Sequence, residues 1–195
     1  MPSEKRLIEL IKKGNESAFV QMYEMYSGRL FGLCLRYSKN RADAEDLLQE
    51  SFVKIYKNLK NFNGSGSLEG WLRRITINIC INYYRKNKTE KVIITDNIID
   101  DVVNETVFSK IETEQILKLI QELPEGYRLV FNLHVIEGYK HNEIAEMIGT
   151  SENTSKTQLL KAKKQLMEKL IKLYPNLIDK AKENNKGSNK KLVFE

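Results

Sequence analysis

Apolar residues recur three and four positions apart through most of this chain, and this spacing is the strongest constraint on its fold. Such spacing is the pattern of an amphipathic helix. The sequence has only three prolines, Pro2, Pro124 and Pro175, so long segments contain nothing that would break a helix. A strand-like run of β-branched residues appears only in the segment 91–107. The pattern therefore predicts an all-α fold.

Breaks in the periodicity divide the chain into separate helices. They predict helices over about 16–35, 43–59 and 68–86 in the first half, and over about 109–123, 125–137, 142–148 and 151–174 in the second. Tyr23 and Tyr56 are predicted to face inward with the other apolar residues of the first two helices. Ser109, followed by Glu112, predicts a capping box at the start of the second half.

A change in composition separates the two helical halves. No Lys or Arg lies between Val92 and Ser109, and acidic residues interrupt the β-branched ones there. We interpret this segment as an extended acidic linker, and a short strand or a packed loop is the alternative. The polar composition of the last residues predicts a basic flexible tail. The predicted order is a first domain over 1–90, the linker over 91–108, a second domain over 109–175 and the tail over 176–195.

The bulk composition indicates a globular protein that stays inside the cell. Hydrophobic residues make up 41% of the chain and charged residues 30%. The longest apolar runs are far shorter than the roughly 20 residues that span a bilayer, and the segment 1–10 lacks a signal-peptide core. We therefore expect a cytoplasmic protein without membrane insertion. The net charge of +6 fits a polyanionic partner but does not identify one.

Residues that could support catalysis or bind a metal are scattered along the chain. Cys34 and Cys80 stand among apolar neighbours without C-x-x-C spacing. We interpret them as two small buried side chains, and a zinc site or a redox switch is the alternative. His134 and His141 lack neighbours at metal-ligand spacing, and no phosphate loop or nucleophile elbow is found. We therefore expect no enzymatic activity and no cofactor.

The segment 142–154 has the pattern of a helix-turn-helix. Ala145 is small where two helices must cross closely, and Gly149 permits the tight turn between them. The next helix carries six lysines against one acid between residues 153 and 172. Thr157 and Gln158 are suitable base readers, and the lysines are suitable phosphate contacts. The segment therefore predicts DNA binding, and a solvated charged face is the alternative.

Two further clusters have a less specific chemistry. A glycine-bearing polar loop over 62–67 precedes a helix with aromatic and basic residues, a combination that suits unpaired bases. Trp71 taken alone is more often a core residue than a stacking platform, and Asn78, an amide among aliphatic residues, is expected to need a partner. Acidic residues also open the helix near Asp43. They suit the helix dipole, or they form a docking surface for a partner.

Taken together, these segments resemble the extracytoplasmic-function (group IV) sigma factors of bacteria. The resemblance covers most of residues 16–172. It lies at 43–52, 62–64 and 71–78 for their region 2, and at 123–128, 137–139, 143–149 and 154–156 for their region 4. It implies a two-domain subunit, with a region 2 bundle and a region 4 helix-turn-helix, that directs core RNA polymerase to promoters and melts DNA at the minus-10 element.

The resemblance also implies partners and three sets of site residues. The partners are core RNA polymerase, through its β′ clamp and β flap, promoter DNA, and an anti-sigma factor or another recruiting protein. The polymerase-binding set is Asp43, Asp46, Leu47, Gln49, Glu50 and Lys54. The minus-10 set is Phe62, Asn63, Gly64, Ser65, Ser67, Trp71, Arg74, Asn78, Asn82 and Arg85. The minus-35 set is Asn153, Thr154, Lys156, Thr157, Gln158, Leu160, Lys161 and Lys164.

Some positions depart from the usual pattern of this family. They are Leu68, Asn82, Ser155, Gln158 and Leu160, and they bear on the DNA sequence preference and on the strength of minus-35 recognition. Two other classes of protein stay open on the residues alone. One is a stand-alone helix-turn-helix regulator whose first half dimerises or senses a ligand, and the other is an adaptor or anti-sigma-like binding protein.

Overall fold

The computed structural model describes residues 4–87 and 113–174, and helices dominate both ranges without any strand. The chain divides into two compact units, Met1–Lys91 and Val92–Glu195. The predicted all-α, two-unit architecture is therefore confirmed. The linker 91–108, the tail 176–195 and the capping box at Ser109 lie outside the described residues, and the domain boundaries stay a prediction.

Four helices form the described part of the N-terminal unit. They are α1 (Glu4–Lys12), α2 (Glu16–Tyr37), α3 (Arg41–Asn58) and α4 (Leu68–Asn87). Helices α2, α3 and α4 pack against one another in pairs, and their core includes Met22, Leu33, Ile55 and Leu72. Sequence periodicity did not separate α1 from α2. The break falls at Asn15, whose side chain accepts a hydrogen bond from the Ala18 N–H and starts α2.

Two aromatic residues that were predicted to face inward lie on the surface instead. Tyr23 is 42% exposed and Tyr56 is 49% exposed. Each packs at the edge of the core, where the Tyr56 ring lies 4.8 Å from that of Phe19 and the Tyr23 ring lies 4.6 Å from that of Phe52. The prediction of inward-facing tyrosines was wrong because an aromatic ring can cover a neighbouring ring while its hydroxyl stays in water.

Cys34 and Cys80 are both buried and free, in agreement with their interpretation as small core residues. The two thiols face each other between α2 and α4. The hydrogen bond between the Cys80 thiol and Cys34, together with burial, holds the pKa of Cys80 well above its ordinary value. Within residues 4–87 and 113–174, no three metal-ligating side chains gather into one group.

Four helices also form the described part of the C-terminal unit. They are α5 (Thr113–Gln121), α6 (Glu125–Phe131), α7 (His141–Ile148) and α8 (Glu152–Leu173), and a π-helical turn over Asn132–Ile136 extends α6. The buried guanidinium of Arg128 donates to the carbonyls of Gln121 and Leu123, at 2.7 and 3.4 Å. This contact satisfies the carbonyl groups left open where α5 ends.

Helix α8 supplies much of the core of this unit by packing against α6 and α7. Leu159, Ala162, Leu166 and Leu170 form its buried apolar stripe. In the described part of the chain, no helix combines the length and the apolar character needed to cross a bilayer.

Candidate nucleic-acid interface

The loop between α3 and α4 begins at a buried anchor. After α3, a 3-10 turn covers Leu59–Asn61, and the Phe62 N–H donates to the carbonyl of Leu59 at 3.1 Å. The Phe62 ring is only 5% exposed and lies 5.3 Å from the half-buried ring of Trp71. Phe62 was assigned to the minus-10 set as a DNA contact. This assignment needs correction, because a ring packed in the core cannot also stack on a base.

Beyond Phe62, the loop is exposed and holds its own shape. The Asn63 side-chain oxygen accepts hydrogen bonds from the Ser65 N–H and hydroxyl, at 2.9 and 2.7 Å. Gly64 and Gly66 have φ angles of 80° and 85°, a backbone region that favours glycine. The Ser67 hydroxyl accepts from the Gly70 N–H at 3.0 Å and so starts α4. The tip of this loop therefore presents polar groups to solvent.

A polar and basic stripe lies along α4, the helix that follows the loop. Arg74, Asn78, Asn82 and Arg85 are all exposed, and their spacing of three and four places them on one face of the helix. We expected Asn78 to need a partner among the aliphatic residues around it, and this was wrong because the side chain faces solvent. The buried polar residue of this segment is Thr76, whose hydroxyl donates to the Leu72 carbonyl at 3.1 Å.

Helix α3 carries the residues assigned to polymerase binding. Asp46, Gln49, Glu50 and Lys54 are exposed, and Asp43 is half-buried in the first turn. The remaining member of the set, Leu47, is 2% exposed and belongs to the core between the helices. It cannot offer its side chain to a partner, so its assignment to the docking surface needs correction.

The helix-turn-helix consists of α7 and α8. The Lys140 N–H donates to the Glu143 carboxylate at 2.7 Å where α7 begins, and Gly149 ends α7 with a φ of 67°. The Ser151 hydroxyl accepts from the Thr154 N–H at 3.0 Å where α8 begins. Ala145 is buried in this unit, as the sequence predicts. These contacts fix the turn that presents α8 to solvent.

The outer face of α8 carries most of the predicted minus-35 residues. Exposed side chains are Asn153, Lys156, Leu160 and Lys164, and half-buried ones are Thr154, Thr157 and Lys161. The Lys156 ammonium lies 2.7 Å from the Glu152 carboxylate, and this contact lowers the pKa of Glu152. The Thr157 hydroxyl donates to the Asn153 carbonyl at 2.9 Å. Polar and cationic groups therefore line the face that could enter a groove.

Two polar residues of α8 lie on its inner side. Gln158 was assigned as a base reader, but it is only 7% exposed, and its amide oxygen has no hydrogen-bond partner within the described residues. The assignment needs correction, since a side chain packed under the helix cannot reach a base. Ser155 is fully buried, and its hydroxyl lies 2.9 Å from Nδ1 of His141.

The ring of His141 also stacks on that of His134, with ring centroids 4.2 Å apart and planes 14° from parallel. Nδ1 of His134 lies 2.9 Å from the Tyr139 carbonyl oxygen. Burial, followed by the charge effects of His134 and Lys156, lowers the pKa of His141. Sequence reasoning missed this pair, because the π-helical turn and the loop after it bring together two histidines with no shared periodicity.

Comparison with known proteins relates both units to one class of protein. Residues 22–90 match the family model of sigma-70 region 2, and residues 113–166 match that of sigma-70 region 4. The chain is 30% identical over 179 residues to the ECF RNA polymerase sigma factor SigW of Bacillus subtilis, covering 85% of this chain and 96% of that one. The chain belongs to the ECF sigma factors.

Other similarities agree with this membership. The ECF RNA polymerase sigma-E factor of Haemophilus influenzae is 27% identical over 182 residues, which cover 86% of this sigma factor and 95% of that one. The solved structure of the sigma factor RpoE of Bartonella quintana, in complex with the anti-sigma factor NepR, shares the fold. It has a TM-score of 0.50 at 22% identity and covers 80% of this chain and 98% of that one.

Family membership establishes the function of the whole protein, but not the role of each residue. An ECF sigma factor is a transcription initiation factor that binds core RNA polymerase and directs it to promoter DNA. Helix α7, the turn after it and most of α8 fall within the region 4 match, and the exposed loop with α4 falls within the region 2 match. The individual site residues stay predictions, apart from the corrected positions Leu47, Phe62 and Gln158.

Proposed function

We propose that this sigma factor opens promoter DNA at the minus-10 element and that the loop over 63–67 captures an unpaired base. One observation supports this proposal above the others. The exposed loop tip is followed by α4, which carries the exposed stripe of Arg74, Asn78, Asn82 and Arg85. A polar pocket for a base followed by cations for the backbone is the arrangement that single-stranded DNA requires.

The other two surfaces receive roles that agree with their chemistry. The outer face of α8 contacts the minus-35 element, with Lys156 and Lys164 on phosphates. The exposed face of α3, with Asp46, Gln49 and Glu50, docks on the β′ clamp, while region 4 meets the β flap. An acidic face of this kind suits a basic partner surface, because complementary charge guides association.

Further roles complete the proposal. The protein acts in the bacterial cytoplasm and has no catalytic activity of its own, since the bond-forming chemistry belongs to the polymerase. The sigma factor RpoE of Bartonella quintana is held by an anti-sigma factor, and we extend that kind of regulation, by an anti-sigma factor or another recruiting protein, to this chain.

The test begins with a purified complex of the full chain and bacterial core polymerase. Co-elution followed by run-off transcription on a pool of genomic fragments identifies a promoter, and permanganate reactivity of thymines then measures DNA opening. Asn78→Ala should reduce opening while core binding is kept. Gln21→Ala removes an exposed amide from α2 and is the matched control.

Three results would count against the proposal. Normal opening by Asn78→Ala removes this residue from the melting site. Failure of the chain to bind core polymerase excludes the docking role of α3. Selective binding of duplex DNA by the free chain, without polymerase, would favour a stand-alone regulator.

A further inference from the structure

Helix α1 contacts the base of the proposed minus-10 loop, although 50 positions of sequence separate them. The ammonium of Lys12, the last residue of α1, donates a hydrogen bond to the Phe62 carbonyl at 2.7 Å. Helix α1 also packs against the 3-10 turn that precedes the loop. A segment outside the family match at 22–90 therefore contacts the start of this loop.

Helix α1 is itself firmly held on the N-terminal unit. Leu7 and Ile11 are buried in the core. The Tyr26 hydroxyl on α2 donates to the Glu4 carboxylate at 2.6 Å, and burial with this hydrogen bond raises the pKa of Tyr26. Because both ends of α1 are tied down, the backbone that carries the exposed Lys12 side chain is held in place beside the Phe62 carbonyl.

The contact falls at the residue where the loop leaves the core. Three separate ties hold Phe62: its N–H to Leu59, its ring to Trp71 and its carbonyl to Lys12. A peptide group is planar, so fixing the Phe62 carbonyl also fixes the N–H of Asn63 and the direction in which the loop departs. A hydrogen bond from a charged donor is stronger than a neutral one. Lys12 thus restrains the loop without contacting its tip.

We propose that Lys12 is a positioning residue that holds the loop over 63–67 in the conformation that captures the unpaired base. The proposal rests on the minus-10 role proposed above. A loop that is already in its bound shape loses less conformational freedom on binding, so preorganisation raises affinity. Without the Lys12 contact, the holoenzyme keeps its polymerase contacts and its phosphate contacts but recognises the captured base less well.

The experiment uses the full chain bound to core polymerase and two single-stranded DNA probes. One probe carries the minus-10 sequence of the promoter found by run-off transcription, and the other has an abasic site at the captured base. The dissociation constant for the abasic probe divided by that for the intact probe measures base recognition alone. Lys12→Met keeps a long unbranched side chain but removes the donor, and Lys12→Arg keeps a cationic donor. Lys13→Met is the control on the adjacent lysine, which is also exposed.

We expect Lys12→Met to reduce the ratio roughly tenfold, the effect of losing a hydrogen bond to a charged group. Lys12→Arg should recover most of the ratio, and Lys13→Met should leave it unchanged. The fluorescence of Trp71, the single tryptophan, should show one cooperative unfolding transition well above the assay temperature in all three variants, which excludes a general loss of structure.

Other outcomes overturn the inference and can be told apart. Equal weakening of both probes by Lys12→Met, with a shallower salt dependence, would make Lys12 a phosphate contact. An unchanged ratio in Lys12→Met but a reduced one in Asn63→Ala would reject the positioning role and keep the loop as the base site. An unchanged ratio in both variants would reject base capture by the loop and the role of Lys12 with it.

Discussion

The two surfaces of this sigma factor that we propose face DNA are built in different ways. In the N-terminal unit, a loop is anchored at Phe62 and Ser67, and every residue between them is exposed. In the C-terminal unit, the surface is one face of α8, and polar residues occur on both sides of that helix. Lys156 faces outward, whereas Gln158 faces the core. A polar residue therefore indicates a surface site reliably in an anchored loop but not in a helix that packs on another.

The largest effect should come from the anchor of the loop. We expect Phe62→Ala to lower the free energy of unfolding of the N-terminal unit by about 3–5 kcal/mol, because it removes a buried aromatic ring. Trp71 fluorescence in urea measures this change, since Trp71 contacts Phe62 and lies in that unit. Asn63→Ala, one position along, is the exposed control and should change stability far less.

The opposite result would alter the comparison between the two surfaces. If Phe62→Ala left the urea midpoint unchanged and weakened only the binding of minus-10 DNA, the ring would leave its buried position to reach a base. The loop would then resemble α8 in mixing buried and functional roles within one run of residues.

A smaller effect of opposite sign is expected at Gln158. Replacement by Met keeps the volume and removes an amide oxygen that is buried without a hydrogen-bond partner within the described residues. The free energy of unfolding of the C-terminal unit should rise by about 1–3 kcal/mol, because a buried polar group without a hydrogen bond usually costs that much. Urea unfolding followed by circular dichroism measures the gain. Gln165→Met on the same helix, where the side chain is half-buried, is the matched amide control.

Loss of minus-35 selectivity in Gln158→Met, with unchanged stability, would restore Gln158 as a base reader. In that case both sides of α8 would contribute to recognition, and the contrast with the N-terminal loop would weaken.

Periodicity and capping chemistry predicted most of the helices, but they predicted less accurately which polar residues are exposed. The apolar stripe of α8 and the turn at Gly149 follow from local rules that tertiary contacts do not override. Asn78 was misplaced because it was compared with its sequence neighbours. On a helix its neighbours are three and four positions away, and those at Arg74 and Asn82 are exposed.

Burial of the other misassigned residues depends on a second element. Leu47 was included with the acidic residues of α3, although its own position turns it toward the core. Phe62 is buried because Trp71 lies against it, and Gln158 is buried because α8 packs on other helices. Helical spacing identifies which residues share a face. It does not state which face another helix will cover.

The two units should also differ in their response to acid. Both histidines of the sequence, His134 and His141, lie in the C-terminal unit. The pKa of His141 is lowered in the folded state, so folding favours the neutral ring. Stability of this unit should therefore be complete above pH 6.5 and should decrease as the pH falls through the lowered pKa.

Thermal unfolding of the full chain between pH 5 and 7.5 measures this difference, with Trp71 fluorescence for the N-terminal unit and circular dichroism for both. His141→Gln should reduce the acid-dependent loss. If the N-terminal unit, followed by Trp71 fluorescence, lost as much stability over this pH range, groups other than the histidines would control acid sensitivity. The two units would then not differ in this respect.

The smallest effect concerns the two lysines that stand at the two surfaces. Lys156 lies on the outer face of α8 and pairs with Glu152, an exposed contact that contributes little to stability. Phosphate can replace that carboxylate, so Lys156→Ala should reduce the salt slope of promoter binding by about 1. Lys172→Ala, near the end of the same helix, should leave the slope unchanged, as should Lys12→Met at the loop. A reduced slope in Lys12→Met but not in Lys156→Ala would reverse the two roles, because the phosphate contact would then lie beside the loop and the exposed lysine of α8 would not lie on DNA.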